Sequence, residues 1–194
     1  MEISASLVKE LREKTGISIR ECQQALKETS GDMTKAVEYL RKKGEQMVAK
    51  KECRTTKAGI VGSYIHQDSK QAALVKLLCE TDFVAKNEEF VSLAHNIAMQ
   101  IVALRPKWTQ PSQIPAEIME KEKEIYESEV DAKKPKEIKE KIINGKLEKF
   151  YVQNCLLKQP YIKDDSQTIE QLIAALVGKL GEKIELKEFV LFSI

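Results

Sequence analysis

Apolar positions at helical spacing mark three short segments near the start of the chain. Intervals of three and four residues recur in each segment, which is typical of amphipathic helices packed around one core. The three stripes are Leu7, Val8 and Leu11, then Ile19, Cys22, Ala25 and Leu26, then Met33, Ala36, Val37 and Leu40. A glycine stands just past each stripe, where a left-handed helix end favours it: Gly16, Gly31 and Gly44.

Capping residues support the same interpretation. Ser18 and Glu21 form an S-x-x-E capping box, and Asp32 is placed to cap the third helix. We therefore predict a three-helix domain over residues 1–46, of the general shape of a ubiquitin-associated domain. Its core is too small to enclose a cavity, so we expect it to bind a partner through its surface.

The next segment, residues 47–58, is basic and carries few apolar residues. It is predicted as a linker, or as the extended basic end of the third helix. Its charges could contact phosphates or an acidic partner, or they could simply be solvated.

A period of two replaces the helical spacing in the following segment. The runs 59–66 and 71–80 are rich in strand-forming residues and are separated by the polar stretch "QDSK". We predict a β-hairpin whose second strand directs one set of side chains to the core: Ala73, Val75, Leu77 and Cys79.

Two longer helical stripes and a final strand complete the predicted core. The stripes run from Phe90 to Ile101 and from Ile169 to Leu180, and the strand is "IELKEFVLFSI". Residues 151–161 are predicted to be irregular or strand-like. The fold class predicted for residues 59–194 is α+β, with a small, mostly antiparallel sheet covered by helices on one face.

Between the two stripes lies a highly charged stretch with helical propensity, interrupted near Pro135. Its apolar stripe is thin, so we predict a helical hairpin at about 115–150 that projects into solvent. The hairpin could be a docking arm, or its charged faces could only be solvated.

Charge and composition narrow the classes of partner. Lysine and arginine total 32 against 30 acidic residues, and this net charge of +2 does not favour nucleic acid as a direct partner. The sequence contains no run of about 20 apolar residues, so we predict no membrane-spanning segment. The first residues carry Glu2, Glu10 and Glu13 and resemble neither a secretory signal nor a transit peptide. We expect a cytoplasmic protein, or one of an organelle stroma or matrix if it is organelle-encoded.

Motifs for covalent chemistry are absent from the sequence. It contains neither a phosphate-binding loop nor a dinucleotide turn, and its four cysteines lack metal-ligand spacing. Cys79 with His66 or His95 could in principle form a nucleophile and base, but Cys79 continues the apolar alternation of its strand. We predict no enzyme, no cofactor and no metal, with Cys79 structural and the cysteines reduced.

The stretch "CETDFVAKNEEF" pairs Asp82 with Phe83 where strand spacing changes to helical spacing. Phe83 lies seven residues before Phe90 and could extend the core stripe backwards. Alternatively, Asn87 is a natural N-cap, and a helix that starts there leaves "TDFVAK" as a separate surface turn. The sequence leaves both alternatives open.

Several segments, in order, resemble the bacterial and organellar translation elongation factor Ts family, the guanine-nucleotide exchange factors of elongation factor Tu. The similar segments cover nearly the whole chain: "SASLVKELREKTG", "CQQALKETSGDMTKAVEYLRKKG", "GSYIH", "ETDFVAKN", "IAMQIVALRP", "KPKEIKEKIINGKLEKF" and "QPYIKDD".

This resemblance implies a partner and a set of contact residues. The partner would be elongation factor Tu, in GDP-bound and nucleotide-free forms. The turn of Thr81, Asp82, Phe83 and Val84 would press into its GTPase domain and help to dislodge its magnesium ion. Secondary contacts are implied at Arg12, Ile19 and Arg20. The chain departs from the family where two methionines are common, at Ile19 and Arg20, and where a histidine is common, at Gln100.

Two further expectations concern other partners and functions. The end strand 188–194 suggests a homodimer, because an exposed strand edge can pair with a second copy. A plain adaptor, which binds through its helical domain without exchanging a nucleotide, is the alternative to an exchange factor.

Overall fold

The computed structural model describes residues 3–130 and 135–194. Its helices are α1 (Ala5–Thr15), α2 (Ile19–Glu28), α3 (Met33–Lys51), α4 (Asp82–Ala85), α5 (Glu88–Leu104), α6 (Ala116–Glu129), α7 (Lys136–Asn154) and α8 (Ile169–Leu180). Its strands are β1 (Ala58–Ile65), β2 (Gln71–Cys79), β3 (Pro160–Tyr161), β4 (Asp164–Thr168) and β5 (Glu185–Ser193).

Helices α1 to α3 share a core of their own. Each helix begins at a side-chain cap, formed by Ser4, Ser18 and Asp32 respectively. The buried cluster consists of Val8, Leu11, Ile17, Cys22, Ala25, Leu26, Ala36 and Leu40. The predicted caps at Ser18 and Asp32 are confirmed, because both side chains accept hydrogen bonds from backbone N–H groups. Of the predicted capping box only the Ser18 bond is described, and the Glu21 carboxylate pairs with Lys43 (3.4 Å).

Gly44 does not end the third helix, and the prediction that it does is wrong. Helix α3 continues to Lys51, so the first part of the basic segment 47–58 is helical. A Cβ atom at Gly44 would lie 2.9 Å from the carbonyl oxygen of Ala174 in α8. The glycine therefore permits close approach of two helices. By contrast, Gly16 has φ 68° and ends α1 as predicted.

The main sheet has three antiparallel strands in the order β1-β2-β5. Helices α4 and α5 pack on one face, over the buried side chains of Ala73, Val75, Leu77 and Cys79. The predicted α+β class, with helices on one face of a small antiparallel sheet, is confirmed. Because β2 is the central strand, β1 and β5 form the two edges.

The charged stretch forms α6 and α7, which contact each other as a helical hairpin. The Lys146 ammonium pairs with the Glu129 carboxylate, and Phe150 and Ile114 belong to a small cluster at the base. Helix α7 extends to Asn154, so residues 151–154 are helical rather than irregular or strand-like. Part of the predicted interruption, residues 131–134, lies outside the described residues.

A second, two-stranded sheet of β3 and β4 was not predicted. Gln100 of α5 is fully buried and holds this sheet to the core. Its amide oxygen accepts from the N–H of Ile162 (2.9 Å), and its amide nitrogen donates to the carbonyl of Pro160 (3.0 Å). A polar side chain within an apolar helix stripe thus has a structural explanation.

Candidate functional site

The site lies between the end of β2 and the start of α5. After Cys79 and Glu80 the chain makes one helical turn, α4, and then begins α5 at Asn87. The Asn87 side-chain oxygen accepts from the N–H of Glu89 (2.9 Å) and of Phe90 (3.4 Å), as predicted for an N-cap. We call residues 81–85 the junction turn.

Phe83 is presented to solvent by this turn. Its side chain is 90% exposed, more than any other large apolar side chain described except the C-terminal Ile194. Phe90 is completely buried. The alternative in which Phe83 extends the core stripe is therefore wrong, because α4 and α5 are separate helices and periodicity does not carry across Asn87.

The four residues predicted at the turn divide by exposure. Thr81, Asp82 and Phe83 are exposed, whereas Val84 is only 8% exposed and belongs to the main core. Ala85 is also buried. Val84 therefore anchors the turn in this structure, and only its three predecessors are available for direct contact with another molecule.

Two carboxylates tie the turn to the loop between α8 and β5. Glu182 accepts from the Thr81 hydroxyl (2.6 Å) and from the N–H groups of Thr81 (3.0 Å) and Glu80 (3.1 Å). In return, Glu80 accepts from the N–H of Lys183 (2.6 Å) and pairs with Arg54 (3.3 Å). The Lys183 N–H, and then Arg54, hold the pKa of Glu80 below its ordinary value, so the acceptor is ionised.

Cys79 is buried immediately before this network. Its thiol donates to the carbonyl of Thr81 (3.2 Å), and burial, reinforced by the Glu182 charge, raises its pKa. A buried thiol with a raised pKa is a poor nucleophile. His66 and His95 instead both neighbour the ring of Tyr64. All four cysteines are free, as predicted.

The predicted secondary residues lie on the first two helices. Arg12, Ile19 and Arg20 are all exposed. Ile19 was also predicted in the core stripe of α2, which is wrong: its side chain is 56% exposed, while Ile17 takes the buried position before the helix. An exposed isoleucine beside an arginine can contact a partner.

A cleft of about 440 Å³ lies between the end of α1 and helices α5 and α8, and none of the predicted site residues lines it. Thr15, at the end of α1, lines it together with Glu88 and Glu89 of α5 and Lys179 of α8. The Lys179 ammonium lies 2.5 Å from the Glu89 carboxylate and directly beside Gly16. The α1–α2 connection is thus held next to the start of α5, close in sequence to Phe83.

Other kinds of site find little support in the described part of the chain. No group of three or more His, Cys, Asp and Glu side chains there is arranged to hold a metal ion. In residues 3–130 and 135–194, no helix is both long enough and apolar enough to cross a membrane.

The whole chain is similar to one protein family. A family model described as "Elongation factor TS" matches residues 2–194. The Elongation factor Ts of Thermodesulfovibrio yellowstonii is 50% identical over 194 residues, covering 100% of this chain and 97% of that protein. Those of Fervidobacterium nodosum and Thermotoga maritima are each 48% identical, covering 100% of this chain and 99% and 97% of the relatives.

Proposed function

Because the chain belongs to the elongation factor Ts family, we propose that it binds elongation factor Tu and promotes exchange of GDP for GTP. Membership in the family implies a nucleotide exchange role in translation elongation. The observation that carries the mechanism is Phe83, 90% exposed on a turn whose next two residues are buried. An exchange factor makes and breaks no covalent bond. We propose the cytoplasm as its place of action, which the bacterial origin of the relatives supports.

The junction turn acts as an apolar wedge in this proposal. A phenylalanine that enters a pocket of the partner supplies binding free energy at the centre of an interface. The buried Val84 and Ala85 resist displacement of the turn, so this free energy can distort the partner instead. Asp82 is exposed beside Phe83 and contributes polar contacts to the same surface.

The partner's magnesium ion is the target of the distortion. Mg²⁺ requires nearly ideal octahedral geometry at about 2.1 Å, so a small movement of the elements that carry its ligands weakens its binding. Loss of the ion removes the charge that holds the nucleotide phosphates. GDP then dissociates faster from the complex than from the free partner.

The binding of GDP and the binding of this protein to the partner are thermodynamically linked. If this protein lowers the affinity of the partner for GDP by a given factor, GDP lowers the affinity for this protein by the same factor. The protein therefore binds both the GDP-bound and the nucleotide-free partner, with a preference for the latter. Excess GTP completes the exchange and releases the protein.

The N-terminal helices supply a second contact in this scheme. We assign Arg12, Ile19 and Arg20 to it, because all three are exposed. Residues 1–46 would act as a partner-binding domain and residues 59–194 as the domain that carries the wedge. A second contact raises the local concentration of the wedge without itself distorting the partner.

Release of fluorescent GDP from elongation factor Tu tests this function. Wild-type protein should accelerate release, Phe83→Ala should abolish most of the acceleration, and Asp82→Ala should reduce it. Leu104→Ala is the matched control, because it truncates an exposed apolar side chain (42%) at the other end of α5. A folded wild-type protein that binds the partner without accelerating release would indicate an adaptor and contradict the proposal.

A homodimer is the second proposed association. The sheet face opposite α5 exposes Val61, Ile65, Leu74, Val190 and Phe192. The same face carries the ion pair of Lys76 and Glu188 (3.2 Å). A face with an apolar centre and one charge of each sign is complementary to itself, as a two-fold interface requires. We therefore propose that a second copy packs against this face, whereas the end strand 188–194 by itself suggested pairing at the sheet edge.

A further inference from the structure

We propose that Glu182 is a positioning residue for nucleotide exchange: it holds the junction turn in the orientation that presents Phe83. This inference rests on the proposed function, since it concerns how the same turn acts. Glu182 lies in the loop after α8, far along the chain from the turn.

All three side-chain hydrogen bonds described for Glu182 go to the residues just before α4. One carboxylate oxygen accepts from the Thr81 hydroxyl at 2.6 Å, and the other accepts from the N–H groups of Thr81 and Glu80 at 3.0 and 3.1 Å. Hydrogen bonds to an ionised acceptor are stronger than neutral ones. The carboxylate therefore fixes both the backbone and the side chain at the start of the turn.

The turn needs such an external support. Helix α4 has only four residues, and a single helical turn is not stable by itself. Thr81 occupies the N-cap position, but its side chain makes no capping bond, and its hydroxyl donates to Glu182 instead. Buried Val84 and Ala85 hold one end of the turn, and Glu182 holds the other.

The same loop also contacts the segment that follows α3. The Lys183 ammonium donates to the backbone carbonyls of Glu52 (2.7 Å) and Arg54 (3.0 Å), and the Lys51 ammonium donates to the carbonyl of Gly181. The loop 181–183 therefore joins the end of α3 to the junction turn. Through it, the proposed partner-binding helices and the wedge keep a defined relative orientation.

Loss of Glu182 should affect exchange more than stability. Thr81 is exposed, so water can replace the lost acceptor and the folded state loses little. In the bound complex, the freed turn must instead be ordered when Phe83 distorts the partner, so the ordering cost falls on the exchange step. We expect Glu182→Ala to lower the maximal rate of GDP release about tenfold, with a smaller change in the concentration that gives half-maximal release.

Two variants separate positioning from charge. Glu182→Gln keeps an oxygen acceptor and should retain an intermediate rate, whereas a purely electrostatic role would make it as slow as Glu182→Ala. Glu52→Ala is the control, because Glu52 is exposed in the same corner and joins the network through its backbone carbonyl. It should exchange at the wild-type rate.

A double-mutant cycle with Phe83→Ala gives the decisive test, since a residue that acts through Phe83 loses its effect when Phe83 is absent. We expect the double variant to match Phe83→Ala alone. Multiplicative rate defects, or a wild-type rate in Glu182→Ala, would overturn the proposal while leaving the exchange function intact.

Hydrogen exchange provides a readout that does not depend on the partner. In the free protein, Glu182→Ala should accelerate exchange at the amides of Glu80 and Thr81 without lowering the unfolding temperature by more than a few degrees. If the wild-type chain failed to accelerate GDP release, the proposed function would fall. Unchanged amide protection in the variant would overturn the positioning role separately.

Discussion

The buried side chain of Gln100 stabilises the backbone around β3. It is fully buried, and it bonds to the backbone of Pro160 and Ile162 and to the side chain of Gln159. We predict that Gln100→Leu lowers the free energy of unfolding by about 1–3 kcal/mol, because backbone groups near β3 lose their partners. Urea unfolding measures this, with the exposed Gln110→Leu as control. Equal stability of the two variants would contradict the assignment.

Ionisation of Glu80 makes the stability of the protein depend on pH. Its pKa is held below the ordinary 4.5, chiefly by the Lys183 N–H. A lowered folded pKa stabilises the protein above the unfolded value, and that stabilisation is lost as pH falls through the folded value. Wild type should therefore exceed Glu80→Gln in stability at pH 6, and this advantage should shrink as pH falls below the unfolded value of 4.5. An advantage that does not shrink below that pH would argue against a lowered pKa of Glu80.

The sequence predicts the site only where its determinants are local. Asn87 and the acidic first turn of α5 lie beside Phe83, so the separate surface turn could be predicted as one of two alternatives. The burial of Val84 depends on packing against the main core, and the hydrogen bonds that Glu182 accepts span 101 or 102 residues. No rule of sequence spacing connects residues that far apart, so the contact of Glu182 with the junction turn could not be predicted from the sequence.

The close contact between α3 and α8 at Gly44 determines how a substitution there affects stability. Replacing Gly44 in α3 with alanine raises helix propensity but places a Cβ atom 2.9 Å from the backbone of α8. We predict that Gly44→Ala is destabilising for this steric reason. Gly145→Ala in α7 is the matched control, since nothing lies within 4 Å of its Cβ position. It should stabilise by about 0.5–1 kcal/mol.

Thermal and urea unfolding of the two glycine variants would check the sign of each change. If both alanine variants were more stable than wild type, close α3–α8 contact would be refuted. If both were less stable, the open environment of Gly145 would be incorrect.

Element types were more predictable than element ends. Apolar spacing located helices α1, α2, α3, α5 and α8 and the three main strands, because each buries one face in a core. The prediction that Gly44 ends the third helix was wrong, because a glycine required for close packing cannot be distinguished in the sequence from a glycine that caps a helix. The short pair β3 and β4 carries too few residues to show a period, so its existence depended on contacts such as those of Gln100.

The proposed homodimer involves the exposed face of the main sheet. Leu74 lies on the central strand of the exposed sheet face, opposite Ser63 on one side and Val190 on the other. We predict that Leu74→Glu converts a dimer to a monomer, because it buries a charge at the centre of the interface. Sedimentation equilibrium measures the mass. Leu104 is equally exposed (42%) but belongs to α5, which packs on the opposite face of the sheet, so Leu104→Glu should remain dimeric. A monomeric wild-type protein would contradict the proposed dimer.

The whole molecule also places its two predicted contact regions in one framework. Helix α3 packs closely against α8 at Gly44, and the loop 181–183 joins the end of α3 to the junction turn. The three-helix unit is therefore attached to the core both through α8 and through the loop that contacts the junction turn. Such an arrangement favours simultaneous contact of both regions with one partner.

The most direct test of the account is the magnesium dependence of GDP release from elongation factor Tu, with wild type and Phe83→Ala compared. At millimolar Mg²⁺ the wild type should be much faster. After Mg²⁺ is removed with a chelator, release should be fast and nearly equal for both, because the step that Phe83 assists has already occurred. An undiminished difference between the two proteins without Mg²⁺ would contradict the proposal that the wedge acts by dislodging the ion.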